Sequence, residues 1–419
     1  MRTRPLLVVL ALLLAAHAGR TLAGCAGTPS ATPSAERAVV LVSVDGLRHD
    51  ALDRAEVEAP TLRWVAGGVR AERLVPVFPT LTFPNHYSLV TGLHPEAHGI
   101  VGNTMRDPTW TEDGAPARFS LSDRDALRQS RWWGGEPIWV TAEKQGVATA
   151  PAFWPGSEAE IGGVRPGRWL AYDGDVPYAD RVDGVLAWLD APDPPRFVTL
   201  YFDAVDTAGH DHGPDSPEVV AAIARVDAAL ARLVDGLRAR GRLDATDLVV
   251  VSDHGMAARS RDRVVVLDDA VDLDAVEVDW GATLGIWPGE GQDVDALVAA
   301  LSALEHVTAY RKDDVPARLR YRDNPRIPPV TVLVDAGWTA TSRAYLERNP
   351  DRPSGGTHGY DNADETMHGV FLARGPSVRN GVRTGPVHTV DVYGILAAAL
   401  GLDPAPNAGD PGAVRRVLR

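Results

Sequence analysis

Short apolar runs alternate with longer stretches of periodic apolar positions along most of the chain, which predicts strands and helices in turn. Three continuous apolar runs, rich in β-branched residues, are typical of strands that are buried on both faces of a parallel sheet. They extend from Ala38 to Val44, from Phe197 to Phe202 and from Asp247 to Ser252, and a weaker run extends from Val370 to Ala373.

The stretch between the second and third runs predicts a helix. Ser216 can cap it, Pro217 suits its first turn and Gly241 can end it. Between them, six apolar residues recur at helical spacing: Val219, Ile223, Val226, Leu230, Leu233 and Leu237. A strand–helix–strand unit of this kind predicts an α/β fold, with a mostly parallel central sheet flanked by helices on both faces. A second helix, Thr389 to Leu400, is apolar almost throughout and is expected in the core.

The first residues have the pattern of an export signal. A basic segment, Met1 to Pro5, precedes a thirteen-residue segment from Leu6 to Ala18 that is apolar except for His17, which is shorter than the ~20 residues that span a bilayer. The following Leu-Ala-Gly-Cys25 resembles a bacterial lipobox, in which the cysteine is lipidated. We therefore predict a lipoprotein signal peptide (1–24), lipidation at Cys25 and a flexible tether (25–37). The alternative is an ordinary secretory signal with an incidental cysteine.

These segments predict an exported protein that is attached to a membrane only through its lipid, on the periplasmic side or at the cell surface. Cys25 is the only cysteine among the 419 residues, so one chain can form neither a disulfide scaffold nor a four-cysteine zinc site. The chain carries 42 Lys and Arg against 56 Asp and Glu, a net charge of −14. This acidic balance argues against a nucleic-acid-binding surface, which needs clustered basic residues.

Acidic residues and histidines follow each of the three main strands. Asp45 follows the first, Asp253 and His254 follow the third, and Asp203, Asp206, His210 and His212 follow the second. Because ligands bind at the carboxyl ends of strands in α/β sheets, these side chains are expected in one crevice. A single Asp after a strand is usually a turn or cap residue, but three such strand ends favour a metal site. Carboxylates and imidazoles without thiolates favour zinc over manganese or iron, and the number of ligands suits two ions.

The choice of histidine ligands stays open at this point. Spacing alone does not choose between His210 and His212, and five other histidines are further possibilities: His86, His94, His98, His358 and His368.

Six motifs in order resemble the bacterial nucleotide pyrophosphatase/phosphodiesterase family of the alkaline phosphatase superfamily. They are Asp45-Gly46, the stretch from Pro79 to Gly92, His98 to Asn103, Asp206 to His210, Asp253 to Gly255, and Gly356 to Gly359. The resemblance extends over residues 38–400. It implies one alkaline-phosphatase-like domain, which we place at residues 38–405, followed by a C-terminal tail at 406–419.

The resemblance also implies the chemistry. Thr82 would be the nucleophile, and Asn103 would help to hold a phosphate oxygen. One zinc ion would be held by Asp206, His210 and His358, and the other by Asp45, Asp253, His254 and the Thr82 oxygen. The expected reaction is hydrolysis of nucleotide phosphodiester or pyrophosphate bonds to nucleoside 5′-monophosphates through a covalent nucleotidyl-threonine.

Substrate preference is less constrained. Phe83 and Tyr201 could form an aromatic slot for a base, with Trp154 as another wall, although these rings could equally belong to the core. The alternatives are a phosphodiesterase acting on choline phospholipids and a phosphomonoesterase of the same superfamily. A sulfatase would need a cysteine or serine in its own motif, and a binding lipoprotein would be expected to lack Thr82 or a metal ligand. Base preference and oligomeric state stay open.

Overall fold

The structure is a computed structural model that describes residues 37–349 and 353–419, and the described residues fall in one compact unit. The predicted signal peptide, Cys25 and the tether up to residue 36 lie outside the described residues. Within the part that is described, no helix is both long enough and apolar enough to cross a membrane.

The strands, in chain order, are β1 (Ala38–Val44), β2 (Val69–Ala71), β3 (Leu74–Val75), β4 (Thr104–Glu112), β5 (Ala115–Ser120), β6 (Thr149–Ala150), β7 (Phe197–Phe202), β8 (Thr246–Val251), β9 (Ala257–Ala258), β10 (Val264–Val266), β11 (Val276–Asp279), β12 (Thr283–Pro288), β13 (Val307–Arg311), β14 (Val330–Val334), β15 (Thr339–Thr341), β16 (Gly356–Thr357), β17 (Phe371–Arg374), β18 (Val382–Thr384) and β19 (Val387–His388).

The α-helices are α1 (Pro60–Ala66), α2 (Thr82–Thr91), α3 (Pro95–His98), α4 (Arg124–Leu127), α5 (Ile138–Lys144), α6 (Tyr178–Leu189), α7 (Ala204–His212), α8 (Pro217–Ala239), α9 (Val294–Ser302), α10 (Arg343–Arg348), α11 (Thr389–Leu400) and α12 (Pro411–Val417).

A seven-stranded sheet in the order β18-β2-β17-β8-β1-β7-β6 forms the centre of the fold. Strand β1 pairs in parallel with both β7 and β8, so that Val42 lies opposite Leu200 on one side and Val250 on the other. The predicted α/β fold with a mostly parallel sheet is confirmed. Strand β17, the weakest of the four predicted strands, runs antiparallel to both of its neighbours, β8 and β2.

The alternation of side chains along β1 explains why the sheet is covered on both faces. Val39 and Leu41 point into one apolar cluster, which includes residues of α2, α5 and α11. Val40 and Val42 point into the other, which includes residues of α1, α6 and α8. All four side chains are fully buried, as expected for a strand in the middle of a two-sided sheet.

Helix α8 begins and ends close to the residues that the sequence predicted. The Ser216 hydroxyl accepts a hydrogen bond from the Val219 backbone N–H at 3.3 Å, and the helix ends at Ala239, two residues before Gly241. Gly241 has a φ of +63°, a conformation that glycine adopts without the strain a side chain would add. The helix places its apolar side against the sheet and so fixes the position of α7, which precedes it.

The segment that the sequence analysis set apart as a C-terminal tail, residues 406–419, contains a helix that packs on the domain. Residues Pro411–Val417 form α12, and Ala413 and Val417 are buried in the same apolar cluster as α11. Asp410 anchors the helix start, because its backbone N–H donates to the Asp391 carboxylate at 2.7 Å. The few apolar residues of this segment gave too short a pattern to predict a helix, yet their burial makes it part of the domain.

Candidate active site

Three aspartates converge at the carboxyl ends of the central strands. Asp45 and Asp253 come directly after β1 and just after β8, and both are about 1% exposed. Asp206 lies in the first turn of α7, which follows β7, and its side chain is 18% exposed. The parallel arrangement of the three strands therefore brings these carboxylates to one edge of the sheet, as the sequence predicted.

Two groups of ligand atoms form at this edge, and each spans no more than 4.8 Å. One consists of Asp45, Asp253 and His254, and the other consists of Asp206, His254 and His358. His254 Nε2 lies 3.0 Å from Asp253 Oδ2 and 3.4 Å from Asp45 Oδ1. We refer to these five residues together with His210 as the Asp/His cluster.

The resemblance chose His210 over His212, and the geometry of α7 agrees with that choice. The four-residue spacing places His210 on the same helix face as Asp206, with Nε2 3.5 Å from Asp206 Oδ2. His212 is exposed at the end of the helix. Of the other histidines that the sequence left open, His98 bonds to Ser88, away from the cluster. His86 lies beside the cluster: its Nε2 bonds to the Ser43 hydroxyl, and its Nδ1 lies 2.9 Å from the Thr82 carbonyl oxygen and 3.4 Å from Asp253 Oδ2.

The imidazoles of the cluster are oriented as metal ligands are. The Nδ1 atoms of His210, His254 and His358 lie 2.9–3.1 Å from the backbone carbonyls of Gly356, Gly255 and Thr80, respectively. A carbonyl oxygen only accepts, so each Nδ1 carries the proton and each Nε2 presents a lone pair. Burial, together with His254 and His210, holds the pKa of His358 well below its usual range, which keeps this ring neutral.

One oxygen of each cluster carboxylate lacks a hydrogen-bond partner in the described part of the chain, and a bound cation would be a partner for it. Asp45 Oδ1, Asp206 Oδ1 and Asp253 Oδ2 are buried and accept no hydrogen bond from any described residue. Burial, followed by the charges of Asp253 and Asp206, raises the pKa of Asp45 well above its usual range. Buried carboxylates so close together are costly without a counter-charge, so the residues present fit the two divalent cations that the sequence predicted.

Thr82 lies beside this cluster as the first residue of α2, with its hydroxyl oxygen 3.4 Å from His254 Nε2. Asn103 Oδ1 accepts a hydrogen bond from the Phe83 backbone N–H at 2.9 Å, which leaves the Asn103 amide NH₂ free to donate. The start of a helix carries unpaired N–H groups and a partial positive charge. Thr82 and Asn103 therefore stand where a phosphate oxygen would be stabilised.

An aromatic cavity of about 270 Å³ opens next to Thr82, and we call it the active-site cavity. All three predicted slot residues, Phe83, Trp154 and Tyr201, line it. Trp154 is 2% exposed and donates its indole N–H to the His86 carbonyl at 3.0 Å, so it forms part of the wall. The Tyr201 hydroxyl donates to Asp45 Oδ2 at 2.6 Å, which links this ring to the metal ligands.

Sequence reasoning missed other residues of the cavity. The cavity is also lined by Tyr172, Leu121, Phe153, Arg124 and Glu158, and Tyr172 is 36% exposed. Tyr172 lies in a segment without a periodic pattern, so nothing in the sequence distinguished it from any other loop tyrosine. An exposed aromatic ring next to a buried polar site is nevertheless the feature that a stacking ligand needs.

Two groups of Asp and His ligand atoms lie beside a threonine at the start of a helix, at the edge of this α/β sheet. This arrangement is typical of a metal-dependent enzyme. Residues 39–361 match the family described as Type I phosphodiesterase / nucleotide pyrophosphatase. The chain belongs to this family.

Relatives and solved structures agree with the family assignment. The chain is 36% identical over 396 residues to rat ectonucleotide pyrophosphatase/phosphodiesterase family member 1, covering 91% of this chain and 42% of the relative. It is 37% identical over 389 residues to an uncharacterized pyrophosphatase/phosphodiesterase of Schizosaccharomyces pombe, covering 88% and 78% of the two chains. The chain thus spans less than half the length of the rat relative. These relatives are eukaryotic, so the bacterial origin stays a prediction.

The fold is shared with murine ectonucleotide pyrophosphatase / phosphodiesterase 5. That structure superimposes with a TM-score of 0.85 at 36% identity, covering 91% of this chain and 100% of the other. An inactive variant of the same murine protein, in complex with AMP, gives a TM-score of 0.84 at 35% identity. The predicted alkaline-phosphatase-like fold is thereby confirmed.

Proposed function

We propose that this protein hydrolyses phosphodiester and pyrophosphate bonds of nucleotides to nucleoside 5′-monophosphates, through a nucleotidyl-threonine at Thr82. The observation that carries the proposal is the position of Thr82, between the Asp/His cluster and the active-site cavity. Its family supports this reaction, as does the AMP complex of a murine protein with the same fold.

Two Zn²⁺ ions fit the ligand set best, because it combines carboxylates with imidazoles and contains no thiolate. Asp206, His210 and His358 would hold one ion, and Asp45, Asp253 and His254 would hold the other beside the Thr82 oxygen. When bound, such cations favour the ionised form of a hydroxyl and offset negative charge on phosphate oxygens.

The chain's own groups carry the substrate through two displacements. In the first, Thr82 Oγ1 forms a bond to phosphorus while the bond to the leaving oxygen breaks, and the threonine proton is lost to solvent. In the second, a water oxygen bonds to phosphorus and Thr82 Oγ1 leaves, regaining a proton. Asn103 donates its amide N–H to a non-bridging oxygen, and the N-terminus of α2 favours the same negative charge.

The active-site cavity suits a diester that carries a nucleoside better than a phosphate monoester, which carries a second negative charge. Its described lining residues include one arginine, Arg124, and this side chain is already bonded to Glu158 and to the Tyr172 carbonyl. A monoester dianion would need an unengaged cation near Thr82. The aromatic rings of Phe83 and Tyr172, in contrast, offer faces for a base.

The alternative substrate, a choline phospholipid, would bind at the same aromatic wall of the active-site cavity. Aromatic rings with nearby carboxylates, such as Tyr172 with Asp203, also suit a choline cation. The Asp203 carboxylate, however, already accepts hydrogen bonds from Arg181 and Tyr178. This engagement favours the nucleotide.

Export and lipid attachment at Cys25 complete the proposal. They are supported by the N-terminal pattern and by relatives whose names describe ectoenzymes and venom enzymes. We expect a radiolabelled fatty acid to be incorporated into the full chain and not into the Cys25→Ala variant. Equal labelling of both chains would contradict it.

The nucleotidyl-threonine is tested by trapping. Zinc-loaded protein is mixed with a nitrophenyl ester of a nucleoside 5′-monophosphate, quenched in acid and digested. We expect a peptide that has gained one nucleotidyl group at Thr82, and no such peptide from Thr82→Ala, whose turnover should fall by at least ~10³. Thr82→Ser is the matched control, because it keeps a hydroxyl and should keep measurable turnover. Full turnover by Thr82→Ala would refute the proposal.

A further inference from the structure

Arg181 is among the most deeply buried charged side chains that the structure describes. It lies on α6, outside every motif that the sequence analysis singled out, and its side chain is fully buried. A buried charge is costly unless it is paired and fully hydrogen-bonded, so its presence at this position calls for a structural reason.

The guanidinium group uses all five of its N–H donors. It donates to the backbone carbonyls of Asp173, Gly174 and Val176 at 2.9–3.4 Å. The other two bonds reach the Tyr201 carbonyl at 3.0 Å and Asp203 Oδ1 at 3.1 Å. Arg181 thus ties the segment that follows Tyr172 to the carboxyl end of β7.

The same group also lies against the aromatic wall of the active-site cavity. Its central carbon is 5.1 Å from the ring centre of Phe153 and 5.7 Å from that of Tyr172. Phe153 has a φ of +57°, which a bulky residue adopts only when its surroundings hold it there. Asp203, the charge partner of Arg181, accepts a hydrogen bond from the Tyr172 hydroxyl at 3.3 Å.

We propose that Arg181 is a positioning residue for substrate selection, which holds the Tyr172 ring in place to stack on the base of a nucleotide. The inference rests on the proposed function and goes beyond it, because Arg181 lies behind the wall and touches no substrate.

The proposal predicts a specific substrate effect. Two esters with the same nitrophenolate leaving group are compared on zinc-loaded protein: the 4-nitrophenyl ester of thymidine 5′-monophosphate, and methyl 4-nitrophenyl phosphate, which has no base. The Arg181→Lys variant has only three N–H donors, in another geometry. Its kcat/KM for the nucleotide ester should fall about tenfold relative to the methyl ester, which is the effect expected when one base–aromatic stack is lost. Most of this fall should come from a higher KM for the nucleotide ester. Turnover of the methyl ester should stay within about twofold.

A double-variant comparison separates positioning from general damage. In a Tyr172→Ala background, adding Arg181→Lys should leave the ratio of the two kcat/KM values unchanged, because the ring to be positioned is gone. Asp183→Asn, an exposed residue two positions along α6, is the matched control and should keep the wild-type ratio. Arg181→Gln is the second variant if the lysine variant does not unfold cooperatively.

Equal losses on both esters, or an unchanged ratio in a folded Arg181 variant, would overturn the proposal. Wild-type protein that does not favour the nucleotide ester would instead refute the proposed function, and this inference with it. The wild-type ratio therefore distinguishes the two failures.

Discussion

At the scale of single residues, the site depends on side chains that orient the ligands rather than on the ligands alone. Each cluster histidine is fixed by a backbone carbonyl, and Asp45 is fixed by the Tyr201 hydroxyl. Such partners set the ligand geometry before a metal arrives, and their loss commonly costs 10–100-fold in metal affinity.

Tyr201→Phe tests this directly. The variant keeps the ring but leaves Asp45 Oδ2 without its 2.6 Å donor. We expect Zn²⁺ affinity to fall by about tenfold or more, measured by competition with a chromophoric chelator. Tyr178→Phe is the control, because its hydroxyl donates to Asp203 rather than to a cluster residue. Equal affinities for Tyr201→Phe and wild type would rule out this role.

The residue scale also shows what could be read from the sequence. The convergence of Asp45, Asp253 and His254 was predictable because they follow apolar, β-branched runs that are typical of buried strands. The proposed roles of Tyr172 and Arg181 were not predictable, because they arise from contacts between a loop, α6 and the end of β7. Those contacts are distant in sequence and leave no periodic trace.

At the scale of elements, α2 and α3 are joined by a buried histidine that titrates far from its usual range. The His98 Nδ1 accepts from the Ile100 backbone N–H at 3.1 Å, so Nε2 donates to the Ser88 hydroxyl. Burial is the main cause that lowers the pKa of His98 to about 3. Protonation would break the bond to Ile100 and place a charge in the core.

This predicts a loss of stability in mild acid. Because the folded pKa lies below the unfolded value of ~6.5, the contribution of His98 is complete above that pH and declines as the pH falls. From pH 7 to pH 5, wild type should lose about 2 kcal/mol more unfolding free energy than His98→Asn. Urea unfolding at both pH values measures this, with the exposed His212→Asn as control. Parallel losses in wild type and His98→Asn would contradict it.

The elements themselves were largely predictable, with two instructive exceptions. Helix α8 begins and ends where Ser216 and Gly241 predicted, because both caps are local chemistry. The direction of β17 was not encoded locally, since an apolar run is compatible with parallel or antiparallel pairing. Helix α12 owes its place to α11, against which it buries Ala413 and Val417.

At the scale of the whole molecule, the proposed function requires an acidic chain of net charge −14 to bind an anion. The two proposed divalent cations would add four positive charges to the three aspartates of the cluster, which would give a local excess of one. Screening over about 8 Å at physiological salt leaves distant surface carboxylates with little influence there. The proposed cations would therefore reverse the local charge where we propose that the phosphate binds.

Metal removal should accordingly weaken the folded protein. Three buried carboxylate oxygens lose their counter-charge, and a ligand at ~100 times its Kd stabilises by about 2.7 kcal/mol. We expect chelation to lower Tm by about 5 °C and added Zn²⁺ to restore it, as measured by calorimetry. Asp253→Asn should abolish most of this shift, whereas the exposed Asp235→Asn should keep it. A Tm that does not respond to verified metal loss would contradict this prediction.

The most direct test of the account compares a diester with a monoester. On zinc-loaded protein lacking residues 1–25, kcat/KM is measured for a nitrophenyl ester of a nucleoside 5′-monophosphate and for nitrophenyl phosphate. We predict a ratio of about 100 or more, equivalent to ~2.7 kcal/mol of transition-state preference. A ratio below one would contradict the account and identify the site as that of a phosphomonoesterase.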